Sequence, residues 1–99
     1  MAKKKKGDYN KFKESACVAC GVSGDVATLD IDHFKTRGSR PDLVNDSRNC
    51  LTLCRFCHHV KGTIGADSFV RISSRRLYDW LKRNGWEYDD FSCKWFLGE

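Results

Sequence analysis

At ninety-nine residues the chain has room for one domain, and a domain of this size buries only about 60–65% of the surface its unfolded form exposes, so a staple is expected besides an apolar core. The formal charge is +5, there are six cysteines, and no apolar run approaches the roughly 20 residues that cross a bilayer, which sets membrane-spanning proteins aside. Met1-Ala2 runs into Lys3-Lys4-Lys5-Lys6 with no apolar stretch behind it, so no secretory leader is expected and the chain is expected in the cytoplasm, where disulfides lose their usual compartment.

Residues 1–15 hold six lysines against Asp8 and Glu14, and so carry four of the five net charges. Four consecutive lysines beside Gly7 cannot offset the entropy of ordering by burial. Residues 1–10 are therefore expected to form a disordered basic tail, either an arm for phosphate backbones or a solvated segment that aids solubility, with residues 11–99 as the single folded domain. In Cys17-Val18-Ala19-Cys20-Gly21 a glycine directly after CxxC lets the backbone turn sharply around a metal. From Val26 to Asp32 apolar and polar positions alternate as in a half-buried strand, entered through a turn at Ser23-Gly24-Asp25. Asp30 and Asp32 then share a face opposite Leu29 and Ile31. Lys35 to Arg48 contains Gly38, Pro41, three arginines and little that is apolar, which predicts a long loop of the functional kind, with Asn49 opening the next ordered element.

Cys54-Arg55-Phe56-Cys57-His58-His59-Val60-Lys61 brings a second CxxC and enters a short helix expected to stop near Gly62. Ser73 or Ser74 caps a further helix in which Leu77, Trp80 and Leu81 fall at i, i+3 and i+4 as a buried stripe, with Gly85 as its stop. Arg75, Arg76, Lys82 and Arg83 lie on the other side of that stripe. Trp86 to Leu97 is aromatic-rich and fits either a hairpin around Asp89-Asp90 or irregular coil. Trp80, Trp86, Phe91, Trp95 and Phe96 are expected to complete the core rather than to stack on bases.

Zinc takes four ligands in a tetrahedron, and a CxxC turn supplies two thiolates at the right separation. Cys17, Cys20, Cys54 and Cys57 would complete such a site, with 33 residues between the pairs, which places something functional inside the loop. A redox CxxC needs a thioredoxin-like context that so short a chain lacks. Four cysteines leave no open position, so the zinc would be structural. Cys50 and Cys93 remain as small buried hydrophobes.

Asp32-His33, Asn49 and His58 lie between and beside the two knuckles. The order CxxC, then Asp32-His33-Phe34-Lys35-Thr36-Arg37-Gly38, then Asn49-Cys50-Leu51-Thr52-Leu53-Cys54-Arg55-Phe56-Cys57-His58 resembles the zinc-bearing HNH endonucleases often encoded by phages, over Cys17 to about Phe69. The resemblance implies an α+β fold, a zinc-stapled ββα-metal domain with motif core 17–69 and an added C-terminal helix and aromatic segment over 70–99. It implies a metal-dependent DNA endonuclease. His33, at the strand end, would be the general base, and Asn49 would hold the loop and orient it. Asp32 and His58 would bind one catalytic divalent ion, Mg²⁺, Mn²⁺ or Ni²⁺, beside the structural Zn²⁺. Adjacent strand residues face opposite sides, so Asp32 and His33 can do different work.

Implied partners are DNA and, for phage enzymes that act beside packaging machinery, terminase or portal proteins, in the host cytoplasm. Lys35, Arg37, Arg40 and Arg48 are candidate phosphate contacts, although a solvated loop has the same composition. Many relatives carry a second histidine where this chain has Gly62, which argues for a weakly held ion. His59, about 100° round the helix from His58, is expected to be exposed. The alternative is a non-catalytic zinc module that binds DNA or serves as an adaptor.

Overall fold

The computed structural model describes residues 9–36, 38 and 40–98. In chain order its elements are β1 (Leu29–His33), β2 (Cys50–Cys54), α1 (Arg55–Ile64), α2 (Ala66–Ile72), α3 (Arg75–Arg83), β3 (Trp86–Asp89) and β4 (Lys94–Leu97). Short 3-10 turns lie at Tyr9–Phe12, Pro41–Leu43 and Ser47–Asn49. This is a small α+β fold with two two-stranded antiparallel sheets, β1–β2 and β3–β4. Apart from Tyr9 and Asn10, which open the first 3-10 turn, the tail expected over residues 1–10 lies outside the described residues, as does Arg37.

β1 and β2 pair with Leu29 opposite Cys54 and His33 opposite Cys50, so the long loop leaves and re-enters at one end of the pair. The strand is shorter than its alternation suggests. Val26 and Ala27 both donate their amides to the Ser23 carbonyl, at 3.0 and 3.1 Å, which folds residues 23–27 into a turn and leaves Val26 exposed. Cys54 ends β2 and caps α1, its sulfur accepting from the Cys57 amide at 3.5 Å. α1 runs through Gly62 and stops at Gly65, whose φ of +92° is a backbone that glycine adopts and other residues rarely do. Gly62 is helical and exposed, and a helix tolerates such a glycine at about 1 kcal/mol relative to alanine.

α2 is an element the sequence pattern left without a helix. Ala66, Phe69 and Val70 fall at i, i+3 and i+4 and bury against the core, a stripe of one turn wedged between two glycine- and serine-marked stops. α3 forms as expected, with Leu77, Trp80 and Leu81 buried. Its cap residue Ser74 accepts from the Arg76 amide and donates its hydroxyl to the Ala19 carbonyl at 2.6 Å, joining α3 to the first cysteine turn.

The C-terminal segment is a hairpin, Trp86 opposite Leu97. Trp80, Trp86 and Trp95 are buried, but Phe91 is 98% exposed at the turn and Phe96 is exposed on the outer face of β4, so neither belongs to the core expected of them. Cys93 is likewise exposed, because it sits in the turn with a φ of 60°. Cys50 is buried as expected. Phe34 packs edge-on to Trp86 with centroids 4.8 Å apart, and the Trp86 indole donates to the Arg48 carbonyl at 2.6 Å. The hairpin thereby holds both ends of the loop between β1 and β2. Buried Thr52 accepts the Glu14 amide on its hydroxyl and the Val18 amide on its carbonyl, both at 2.8 Å, which seats the first cysteine turn on β2.

Candidate metal centre and adjoining histidine site

The first cysteine turn and the start of α1 bring Cys17, Cys20, Cys54 and Cys57 together, their sulfurs all within 4.8 Å of one another. A tetrahedron with zinc–sulfur bonds of about 2.3 Å has sulfur–sulfur edges of about 3.8 Å. Cys20 Sγ and Cys54 Sγ are 3.9 Å apart. Each CxxC turn also aims an amide at its first sulfur, Cys20 N–H at Cys17 Sγ (3.4 Å) and Cys57 N–H at Cys54 Sγ (3.5 Å). Such bonds favour thiolate. Burial alone raises the Cys17 thiol, yet amides of this kind outweigh it and bring it down to about 7, whereas burial and the neighbouring sulfurs push Cys57 far up. A cation would remove that mutual repulsion, and the cluster could hold a structural metal such as zinc. Gly21, with φ of +85°, makes the turn behind Cys20.

Next to Cys57 on α1 is His58, whose side chain is 45% exposed. Its Nε2 lies 3.6 Å from Asp32 Oδ1, on β1. The second Asp32 oxygen accepts from the Lys61 ammonium at 2.9 Å, and the Lys61 side chain is only 6% exposed. Asp30, on the same face of β1, accepts from Arg55 at 3.0 Å. The expected sharing of a face by Asp30 and Asp32 is thus realised, and α1 is the element that covers it. Lys61 went unassigned in the sequence. Its spacing, three residues after His58 and four after Cys57, puts it on their face of α1, but only the packing of β1 against that face sets Asp32 opposite it.

His33, the next residue of β1, reaches away from α1. Its Nε2 is 2.9 Å from the Val44 carbonyl in the loop. A carbonyl only accepts, so Nε2 carries the hydrogen and a neutral ring keeps its lone pair on Nδ1. Fully buried Asn49 locks the loop. Its Oδ1 accepts from the Lys35 amide at 2.8 Å, and its Nδ2 donates to the Lys35 carbonyl at 3.0 Å and the Leu43 carbonyl at 3.3 Å. Its own carbonyl accepts from the Phe34 amide at 2.9 Å. Asn49 therefore fixes the backbone on both sides of the segment that carries Val44.

The basic residues of the loop meet acidic neighbours. Arg40 forks onto Asp42 at 2.9 and 3.0 Å, Arg48 forks onto Asp46 at 2.6 and 2.9 Å, and Lys35 lies 3.5 Å from Asp67. The guanidinium groups hold the Asp42 and Asp46 carboxyls below the usual carboxylate range. His59 is exposed, as expected, and with Arg55, His58, Gly62 and Thr63 it lines an open groove of about 470 Å³ along α1. A side chain at Gly62 would meet nothing within 4 Å. No protein-family model, curated protein or solved structure matches the chain.

Proposed function

We propose that the chain is a zinc-stapled nuclease of the HNH type, a metal-dependent endonuclease that hydrolyses phosphodiester bonds in DNA with His33 as general base. The reading rests on one observation, the division between adjacent residues of β1. Asp32 faces His58 across 3.6 Å under α1, while His33, on the opposite face, is held through Nε2 by the Val44 carbonyl, next to the Leu43 carbonyl that Asn49 binds. The hard carboxylate and borderline imidazole of Asp32 and His58 suit a divalent ion such as Mg²⁺, Mn²⁺ or Ni²⁺, and the half-exposed His58 leaves the position open to substrate.

Such an ion, when bound, supplies positive charge to the phosphate and to the departing 3′-oxygen. The chain's own residues do the rest. His33 Nδ1 takes the proton of the attacking water, and the Nε2–H bond to Val44 stabilises the imidazolium that results. Asn49 holds the adjoining Leu43 carbonyl and so the backbone that carries Val44. Lys35, Arg40 and Arg48 are the phosphate contacts proposed in the loop. The pair of Arg40 with Asp42 is exposed, and an exposed pair is worth only about 0–1 kcal/mol, so exchanging that carboxylate for a phosphate costs little.

Supercoiled plasmid incubated with Mg²⁺, Mn²⁺, Ni²⁺ or EDTA tests the reading, with His33→Ala alongside. Metal-dependent nicking or linearisation that the variant loses is expected. A non-catalytic zinc module that binds DNA is the second reading, favoured by the Lys61 ammonium that already neutralises Asp32. No cleavage under any ion, with salt-sensitive gel-shift binding retained, would replace the first reading by the second.

A further inference from the structure

Lys61 is the feature that the proposed chemistry does not use. A lysine side chain 6% exposed is rare unless its charge is answered, and here the answer is a single oxygen of Asp32 at 2.9 Å. The other Asp32 oxygen is the one that faces His58. The carboxylate is thus shared. One oxygen is occupied by an internal cation from the second turn of α1, and the other faces His58, whose side chain lines the groove along α1.

We propose that Lys61 is a positioning residue that sets the cation affinity of the Asp32–His58 pair, keeping it weak and exchangeable by holding half of the carboxylate and a full positive charge beside it. This rests on the reading of Asp32 and His58 as cation ligands. Two consequences follow from the charges alone. A dication entering beside Asp32 meets a carboxylate already neutralised, and it is repelled by an ammonium one carboxylate away. Even with bulk-water screening, that repulsion costs the dication about tenfold in affinity. The ammonium also aims Asp32. With Oδ2 tied to Lys61, the carboxylate has Oδ1 alone facing His58, an arrangement that Lys61→Arg should keep.

The structural alternative is that Lys61 only clamps α1 to β1. The two roles predict opposite signs. Loss of a mere clamp loosens Asp32 and weakens any cation bound there, whereas loss of a competing charge tightens it.

The test is titration of the zinc-loaded full chain with Mn²⁺, reading free Mn²⁺ by its electron paramagnetic resonance signal, for wild type, Lys61→Gln, Lys61→Arg, Asp32→Asn and the Asp32→Asn/Lys61→Gln double variant. Zinc content and circular dichroism show whether each is folded. Lys61→Gln should bind Mn²⁺ about tenfold more tightly than wild type and Lys61→Arg about equally, while both proteins with Asp32→Asn lose the site, placing the effect on that carboxylate. Equal or weaker binding by folded Lys61→Gln, with wild type binding normally, overturns the role of Lys61 and leaves the cation site standing. Should Lys61→Gln misfold, a Lys61→Arg protein that binds more than about threefold differently from wild type overturns it too. Absence of Mn²⁺ binding in every variant overturns the cation site and the inference together.

Discussion

Two adjacent residues of α1 belong to centres of opposite character. Cys57 is buried in a ring of four sulfurs drawn from two tight turns, each supported by an amide hydrogen bond. His58, next in the chain, is half exposed and meets one carboxylate that an internal lysine already shares. Four soft donors in a closed tetrahedron hold a metal tightly and leave nothing for a substrate, whereas two harder donors at a groove bind weakly and leave room. The difference teaches that α1 can be fastened at one residue and exposed at the next, because a step of about 100° separates the fixed face from the open one.

The most severe way to break this comparison is to remove one sulfur. Cys54→Ser keeps a cap for α1 but deletes a ligand from the cluster. Structural zinc contributes about 10–16 kcal/mol in small domains, comparable to the whole stability of about 5–15 kcal/mol expected of a folded protein. The variant should lose zinc and its cooperative thermal transition, followed by circular dichroism and metal analysis, and a strong chelator should do the same to wild type. Acid acts in the same direction, since protonation of the thiolates as pH falls releases the metal. An unchanged melting temperature in Cys54→Ser would remove the staple from the fold.

The other face of β1 should respond differently. Under the proposed reading, His33→Ala lowers cleavage by about 10²–10⁴-fold, the usual worth of a general base, while zinc content and melting temperature stay near wild type. A fall in stability comparable to that of Cys54→Ser would make His33 a structural residue of the loop.

Asn49→Ala tests the support between the two. The Lys35 amide and the Lys35 and Leu43 carbonyls would each lose a partner in or near the core. At about 1–3 kcal/mol for each buried group left unanswered, partly relieved by water at the half-buried Lys35, the total should be about 3 kcal/mol, or roughly 10–20 °C in melting temperature. A shift within a few degrees would show that the loop is held elsewhere, the Trp86 indole on Arg48 being the next contact to remove.

Much of this was legible from spacing alone. The cysteine pairs specify their cluster because a CxxC turn places two sulfurs by local geometry, and the stripe Leu77, Trp80, Leu81 specifies α3 because it spans more than one turn between a serine cap and a glycine stop. What escaped depends on partners distant in the chain. Val26 continues the alternation of β1 but lies in a turn fixed by Ser23. Phe96 alternates with Trp95 and Leu97 in a two-stranded sheet whose outer face nothing covers among the described residues. Lys61 reads as an ordinary surface lysine of a helix until β1 is laid against it with Asp32 directly opposite. The identity of Asp32 and His58 as neighbours was within reach of the motif, but the third member of that group was not.

The smallest expected effect sharpens the contrast within one residue type. Cys17 in the cluster is held at about 7, while Cys50, at the mouth of the loop, is pushed up to about 11 by burial, with the Asp46 carboxylate adding to it. The Cys50 thiol donates to the Asp46 carbonyl at 3.3 Å and approaches the Val44 carbonyl, the same one that holds His33. In the unfolded chain this thiol ionises near its ordinary value of about 8.5. Above that, and up to about 11, the unfolded state binds fewer protons than the folded one, so stability falls as pH rises through the interval. Cys50→Ala removes this dependence. Urea midpoints at pH 8 and pH 10 should show wild type losing about 1–2 kcal/mol more than the variant across that range. An equal loss in both proteins would mean that Cys50 ionises as readily in the fold as outside it. A thiolate would then stand beside the carbonyl that orients His33.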